Sequence, residues 1–150
     1  MTTNSKSSRD PGYQIEIADW AHHETTLYAI RYQVFVVEQQ VPVELERDAY
    51  DPLSQHVLAR TTAGQPIGTG RLLPDGHIGR LAVLAEWRSR GVGRALMQAL
   101  LRRARDSQFA SVELNAQTYA IPFYAGLGFS VEGPEFMEAG IAHRRMFLKL

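Results

Sequence analysis

The chain has no cysteine. That one absence excludes disulfides, thiolate metal sites and a cysteine nucleophile. It also fits a reducing compartment, so a cytoplasmic protein is expected. An excess of charge of either sign is missing too. Sixteen basic and sixteen acidic residues leave a formal net charge of zero, which argues against a dedicated nucleic-acid binder or a polybasic membrane protein. No apolar run approaches the ~20 residues of a membrane span. The first ten residues, Met1 to Asp10, are polar and unlike a signal peptide. They are expected to form a disordered leader before a single domain at 11–150, because 150 residues support one core well and two poorly. Repeats and an internal domain boundary are likewise absent.

The balanced charge conceals segregation. Fourteen of the sixteen basic residues are arginine, and six of them lie between Arg88 and Arg105. Glu38, Glu44, Glu46, Asp48 and Asp51 gather in a different segment. Gln14–Ile17 alternates as a first strand, and Trp20–Gln39 carries apolar residues near a 3.6 period, as a helix does. Pro42 and Pro52 bracket an acidic connection with room for a short helix. Strands are expected at His56–Thr61, Ile67–Leu73 and His77–Leu84, joined by short turns and therefore antiparallel. Gly91–Ser107 reads as an amphipathic helix and Ser111–Leu114 as a buried strand, reached by a crossover that makes it parallel to the strand before it. A short helix at Ile121–Leu127 stopping at Gly128, and strands at Phe129–Val131 and Arg144–Leu150, complete the pattern.

The segment Arg88-Ser89-Arg90-Gly91-Val92-Gly93-Arg94 carries the most chemistry. It lies between a strand and a helix start, where unpartnered N–H groups and the positive end of the helix dipole favour an anion such as a pyrophosphate. Gly91 and Gly93 allow close backbone approach, and Arg88, Arg90 and Arg94 add charged donors. Neither the phosphate-loop motif with its Lys-Ser/Thr nor the three-glycine dinucleotide motif is present.

This stretch matches R-x-x-G-x-G, the acyl-coenzyme A pyrophosphate loop of the GNAT N-acetyltransferases. Together with Arg31-Tyr32-Gln33-Val34-Phe35-Val36-Val37-Glu38-Gln39 and Phe123-Tyr124-Ala125-Gly126-Leu127-Gly128-Phe129, it makes the chain from about Tyr13 to Leu150 resemble that superfamily, and its small ElaA-like bacterial branch most closely. The resemblance implies an α/β (α+β) fold: a central mixed, mostly antiparallel sheet of six to seven strands, the fourth and fifth parallel and splayed, with about four flanking helices. It implies acetyl-CoA as co-substrate, held along the backbone of Leu81, Ala82 and Val83, at Arg88–Arg94 (Ser89 and Val92 included) and at Asn115. Tyr124 matches the family's general acid for the departing thiolate, and Phe123 reads as a core aromatic beside it. The Val83 N–H would face the developing oxyanion.

The base that deprotonates the amine is less legible. His77 stands where some relatives keep a Glu. Glu44, Glu38 and Asp48 are rivals, and the acidic residue that ElaA-like relatives often carry two before Arg80 is missing. His56, His143 and the His22–His23 pair suggest structural roles, and no metal is expected. The implied activity is direct acetyl transfer to a primary amine of a small molecule or peptide in a ternary complex, with the acidic segment hinting at a cationic acceptor. The alternative is a silent acyl-CoA sensor with the same fold. A monomer or homodimer is expected, with neither nucleic acid nor membrane as partner.

Overall fold

Alternating side chains and short turns build the first sheet from consecutive strands. In the computed structural model, which describes residues 10–150, β1 (Tyr13–Ala18), β2 (Gln55–Thr61), β3 (Pro66–Leu72) and β4 (Ile78–Val83) pair antiparallel in that order. All but Asp10 of the leader expected at the N-terminus lies outside the described residues. Helix α1 (Trp20–Arg31) follows β1 and is capped by Asp19, whose carboxylate accepts the His22 N–H at 3.1 Å. Both His22 and His23 also turn a ring nitrogen toward Asp19, so the histidine pair belongs to this cap.

The single helix expected over Trp20–Gln39 divides in two. From Tyr32 to Glu38 the backbone widens into a π-helix, with the Gln39 N–H bonded five residues back to the Val34 carbonyl. The acidic connection holds α2 (Val43–Glu46) and a 3₁₀ turn at Asp51–Leu53. Helix α3 (Val92–Asp106) packs Leu96, Met97, Leu100 and Ala104 onto the first sheet. It can approach closely because β3 presents glycines there. A Cβ on Gly68 would stand 3.0 Å from Leu96, and one on Gly70 3.0 Å from Leu100.

The second sheet runs β5 (Ser111–Gln117), β7 (Ile141–Lys149), β6 (Ser130–Glu138), all antiparallel. Its last two strands are longer than the sequence suggested and form one hairpin through Ala139–Gly140. Helix α4 (Ile121–Ala125) ends two residues earlier than expected, with Gly128 (φ +100°) in the turn behind it. Among the described residues the two sheets touch through one parallel bridge, His77 to Glu113, and the Glu113 N–H donates to the Gly76 carbonyl at 3.1 Å. This is the mixed, mostly antiparallel architecture of seven strands, with β4 and β5 parallel at one end and splayed beyond it. No helix among the described residues is long and apolar enough to cross a membrane.

Candidate active site

Two openings flank the splay, and both are walled by β4 and α4. The smaller, about 430 Å³, is bounded by Val83, Trp87, Arg88, Ser89, Gly91–Arg94 and Phe123. Helix α3 begins here after Gly91 (φ +88°), with no side chain capping it, and its first backbone bond runs from the Ala95 N–H to the Gly91 carbonyl. The N–H groups of Val92, Gly93 and Arg94 precede that bond, as the opening donors of any helix do. Gly93 faces the Phe123 ring, which a Cβ would meet at 3.5 Å. Phe123 is therefore a groove wall, 37% exposed, rather than the core aromatic read from the sequence.

The arginines divide their work differently from the sequence expectation. The Arg88 guanidinium forms a two-pronged pair with Glu38 (Nη2 to Oε1, 2.8 Å), and its Nε donates to the Val83 carbonyl at 3.0 Å. That hydrogen-bonded pair holds the Glu38 carboxyl below its usual range. Arg90 lies over the Trp87 ring, 4.7 Å from its centroid. That leaves the backbone N–H groups at the helix start, with Arg94 alongside, as the donors an anion in the groove would meet.

Strand alternation orients the β4 backbone. The Leu84 N–H pairs with the Ile67 carbonyl of β3, and Ala82 is in register with Thr69. The intervening Val83 N–H and carbonyl therefore point to the open edge. Of the triplet Leu81–Ala82–Val83, Ala82 turns its main chain to β3, leaving Leu81 and Val83 to the splay. Upstream, Arg71 pairs with Gly79 and Thr69 with Ala82, so Arg80 and Leu81 oppose Gly70 alone in a β-bulge. Arg80 takes φ +52°, a left-handed backbone rare for a residue with a long side chain.

The larger opening, about 610 Å³, lies between the sheets and beneath the π-helix. Its lining includes His77, Arg80, Leu81, Asn115, Tyr124 and Glu138. The Tyr124 ring packs edge-on against Phe123 and Phe129, at centroid distances of 5.0 and 6.1 Å. Burial raises its pKa, so the phenol keeps its proton. Asn115 donates to Glu138 Oε1 at 3.1 Å. His77 stands between two carboxylates, Nδ1 2.9 Å from Asp75 and Nε2 3.0 Å from Glu113, with Nδ1 buried and lacking a well-aligned hydrogen bond. Glu44 is exposed and does not line the cleft, whereas Glu46 and Asp48 do. Buried His56 stacks on Trp20 and bonds the Asp51 carbonyl, while His143 stacks on Phe136 in the cleft wall.

A buried charge network, missed in the sequence, forms the floor. Arg31, 1% exposed, donates to Glu46 at 2.6 Å and to both oxygens of Asp51 at 2.8 and 3.1 Å. Arg71 grips both oxygens of Asp48, at 2.8 and 2.6 Å, and reaches Asp51 at 2.7 Å. Arg80 caps the set through the Glu46 carbonyl and Asp48 Oδ2 at 3.1 and 3.2 Å. Burial pushes the Asp48 and Asp51 carboxyls up, but hydrogen bonds and charges from the arginines outweigh it and hold both below the usual range. For Glu46 burial wins, and its carboxyl sits above that range. The sequence signal was available only in part: an acidic segment in one place and scattered arginines elsewhere, with nothing local to pair them.

A family model described as "Acetyltransferase (GNAT) domain" matches residues 17–150. An uncharacterized N-acetyltransferase of Bacillus subtilis (strain 168), YjcF, is 41% identical over 123 residues, which cover 79% of this chain and 87% of the relative. Among solved structures, a candidate N-acetyltransferase from Lactobacillus plantarum superposes with a TM-score of 0.84 at 26% identity, covering 93% of this chain and 99% of that one. ElaA of Escherichia coli superposes with a TM-score of 0.79 at 26% identity, covering 90% of this chain and 98% of its own.

Proposed function

Because the chain belongs to the GNAT acetyltransferase family and is an N-acetyltransferase, we propose that it moves an acetyl group from acetyl-CoA directly to a primary amine of a small molecule or peptide, both substrates bound at once. The observation that carries this reading is a pair of shared walls. Val83 and Phe123 line the groove at the start of α3, and their near neighbours Leu81 and Tyr124 line the cleft. A thioester threaded along the open edge of β4, with its pyrophosphate on the helix N-terminus, would present its carbonyl where the cleft begins.

In this arrangement the amine attacks the thioester carbon, and the Val83 N–H donates to the oxygen as it gains charge. Collapse of the tetrahedral intermediate expels the thiolate, which takes the Tyr124 hydroxyl proton. A thiol of pKa about 8.5 leaves more readily when a donor is in place. The proton shed by the acceptor passes into the cleft. Glu38 is committed to Arg88, Glu44 lies outside, and Asp48 is held charged by two arginines. His77 is the one left of these candidates, its ring set between Asp75 and Glu113 on the cleft wall.

Thiol release from acetyl-CoA with a panel of amines tests the reading. Tyr124→Phe keeps the ring's packing, so stability and acetyl-CoA affinity should stay near the parent while kcat falls about 10²-fold. Near-parental kcat in this variant would make Tyr124 a packing residue.

A further inference from the structure

We propose that Arg80 binds a carboxylate on the acceptor, so that the acceptor is an amino acid with an apolar side chain rather than a polycation. The proposal rests on the acetyl-transfer reading above. An acidic segment beside the pocket suggested a cationic acceptor, but four of its five carboxylates are paired with arginines and the fifth, Glu44, does not line the cleft. Glu38 pairs with Arg88, Glu46 with Arg31, Asp51 with Arg31 and Arg71, and Asp48 with Arg71 and Arg80.

Arg80 is the member of the network with an accessible donor to spare, whereas the unpartnered Nε of Arg71 is buried. The Nε and Nη2 of Arg80 are used on the Glu46 and Leu45 carbonyls and on Asp48, while Nη1 makes no hydrogen bond among the described residues and is not one of the buried, unpartnered atoms. The side chain lines the cleft and stays 26% exposed, unlike Arg31 at 1% and Arg71 at 5%. A guanidinium clamped on two sides, with one amino group open to a cavity, is a preorganised carboxylate site.

The backbone carries an independent mark. Arg80 stands in the left-handed region at the bulge, a strained conformation for a residue with a side chain and one that clusters at ligand sites. The bulge sets two residues against one on β3 and turns Arg80 over the acidic floor, beside Leu81 on the open edge. The wall supplied by the second sheet has the opposite sign. Among the described residues Glu138 has no arginine or lysine partner; its neighbours are the Asn115 amide and the His143 ring at 3.9 Å. A molecule bearing both an amine and a carboxylate finds a complement on each wall. Phe35, Val41, Leu45, Tyr50, Tyr119 and Ile141 add an apolar and aromatic stretch to a lining that also holds Gln39, Gln117 and His77.

The test compares L-leucine, L-methionine, L-phenylalanine and L-tyrosine with their primary amides, by thiol release from acetyl-CoA and by calorimetry on the complex with coenzyme A. The acids should exceed the amides in kcat/KM by about 10- to 100-fold, the scale of one charge-assisted hydrogen-bonded contact, with the difference in KM. Arg80→Lys keeps a cation over Asp48 but loses the fork, and should bring the acid-to-amide ratio to within a few-fold. Amides used as well as acids by the parent would overturn the proposal and leave acetyl transfer standing. Acids bound selectively without thiol release would overturn acetyl transfer and leave the Arg80 site standing. No binding and no turnover with any of the four acids would overturn the proposal, whatever the amides do.

Discussion

The two openings are made in opposite ways. The groove at the start of α3 is a stretch of backbone: Val83 to Arg94 are nearly contiguous, and their conformation alone creates the donors, with Phe123 as the single distant wall. The cleft floor is assembled from side chains that meet only after folding. Arg31 reaches Glu46 fifteen residues away, Arg71 reaches Asp48 across 23, and Arg80 reaches the Glu46 carbonyl across 34. A site made of backbone can be perturbed without harming the fold. A floor that is also a buried ion network cannot, because each of its charges holds another in place. On the proposed reading, ligand binding and stability separate at the groove and merge at the cleft.

The largest expected effect tests that merger. Asp51→Ala leaves Arg31 and Arg71 buried without a shared counter-charge, and should cost about 3–5 kcal/mol of unfolding free energy in denaturant titration. A loss under 1 kcal/mol would show that the network is not part of the framework. Its pH signature follows from the same groups. Asp48 and Asp51 titrate below the ordinary carboxylate range when folded, so their stabilisation is fully present above about pH 4 and is lost as pH falls through the lowered values. Asp51→Asn should flatten that acid limb.

The intermediate effect tests the groove in isolation. Gly93→Val points its side chain toward the Phe123 ring, where there is room for a Cβ, so the melting temperature should change little. Acetyl-CoA affinity by calorimetry should fall about tenfold or more, since the new methyls occupy the approach to the helix N–H groups. Unchanged affinity in a folded variant would remove the phosphate from this loop. The smallest effect is at Arg88. Because its guanidinium is shared with Glu38 and Val83, Arg88→Ala should weaken acetyl-CoA binding only a few-fold, and the loss should shrink in high salt.

The same contrast explains what the sequence disclosed. The R-x-x-G-x-G stretch was legible as a glycine turn into a helix start because that conformation needs only glycines at fixed spacing. The order of strands and the crossover were legible because period and turn residues are local. The π-turn at Tyr32–Glu38 was not, since Leu27, Ile30, Val34 and Val37 keep the spacing of an ordinary helix through it. The cleft floor was hidden for a different reason. Asp48 and Glu44 are alike as letters, yet one is gripped by two arginines and the other is in water. Arg80 was seen only as a strand residue, and its left-handed backbone is a property of the bulge, which depends on Gly70 of the neighbouring strand.

One further consequence belongs to the single bridge between His77 and Glu113. An unpaired strand edge invites another protein chain to add to it, and folded proteins normally hide or charge such edges to stay out of aggregates. Here the bare stretch of β4 beyond the bridge is kept at the bottom of a wedge, with β5 on one side and the starts of α3 and α4 overhanging it. A second polypeptide would bring bulky groups alternating to both faces and has no room to dock. A slender unbranched amide chain does. The fold thus leaves a sticky edge open and guards it by the thickness of what can reach it.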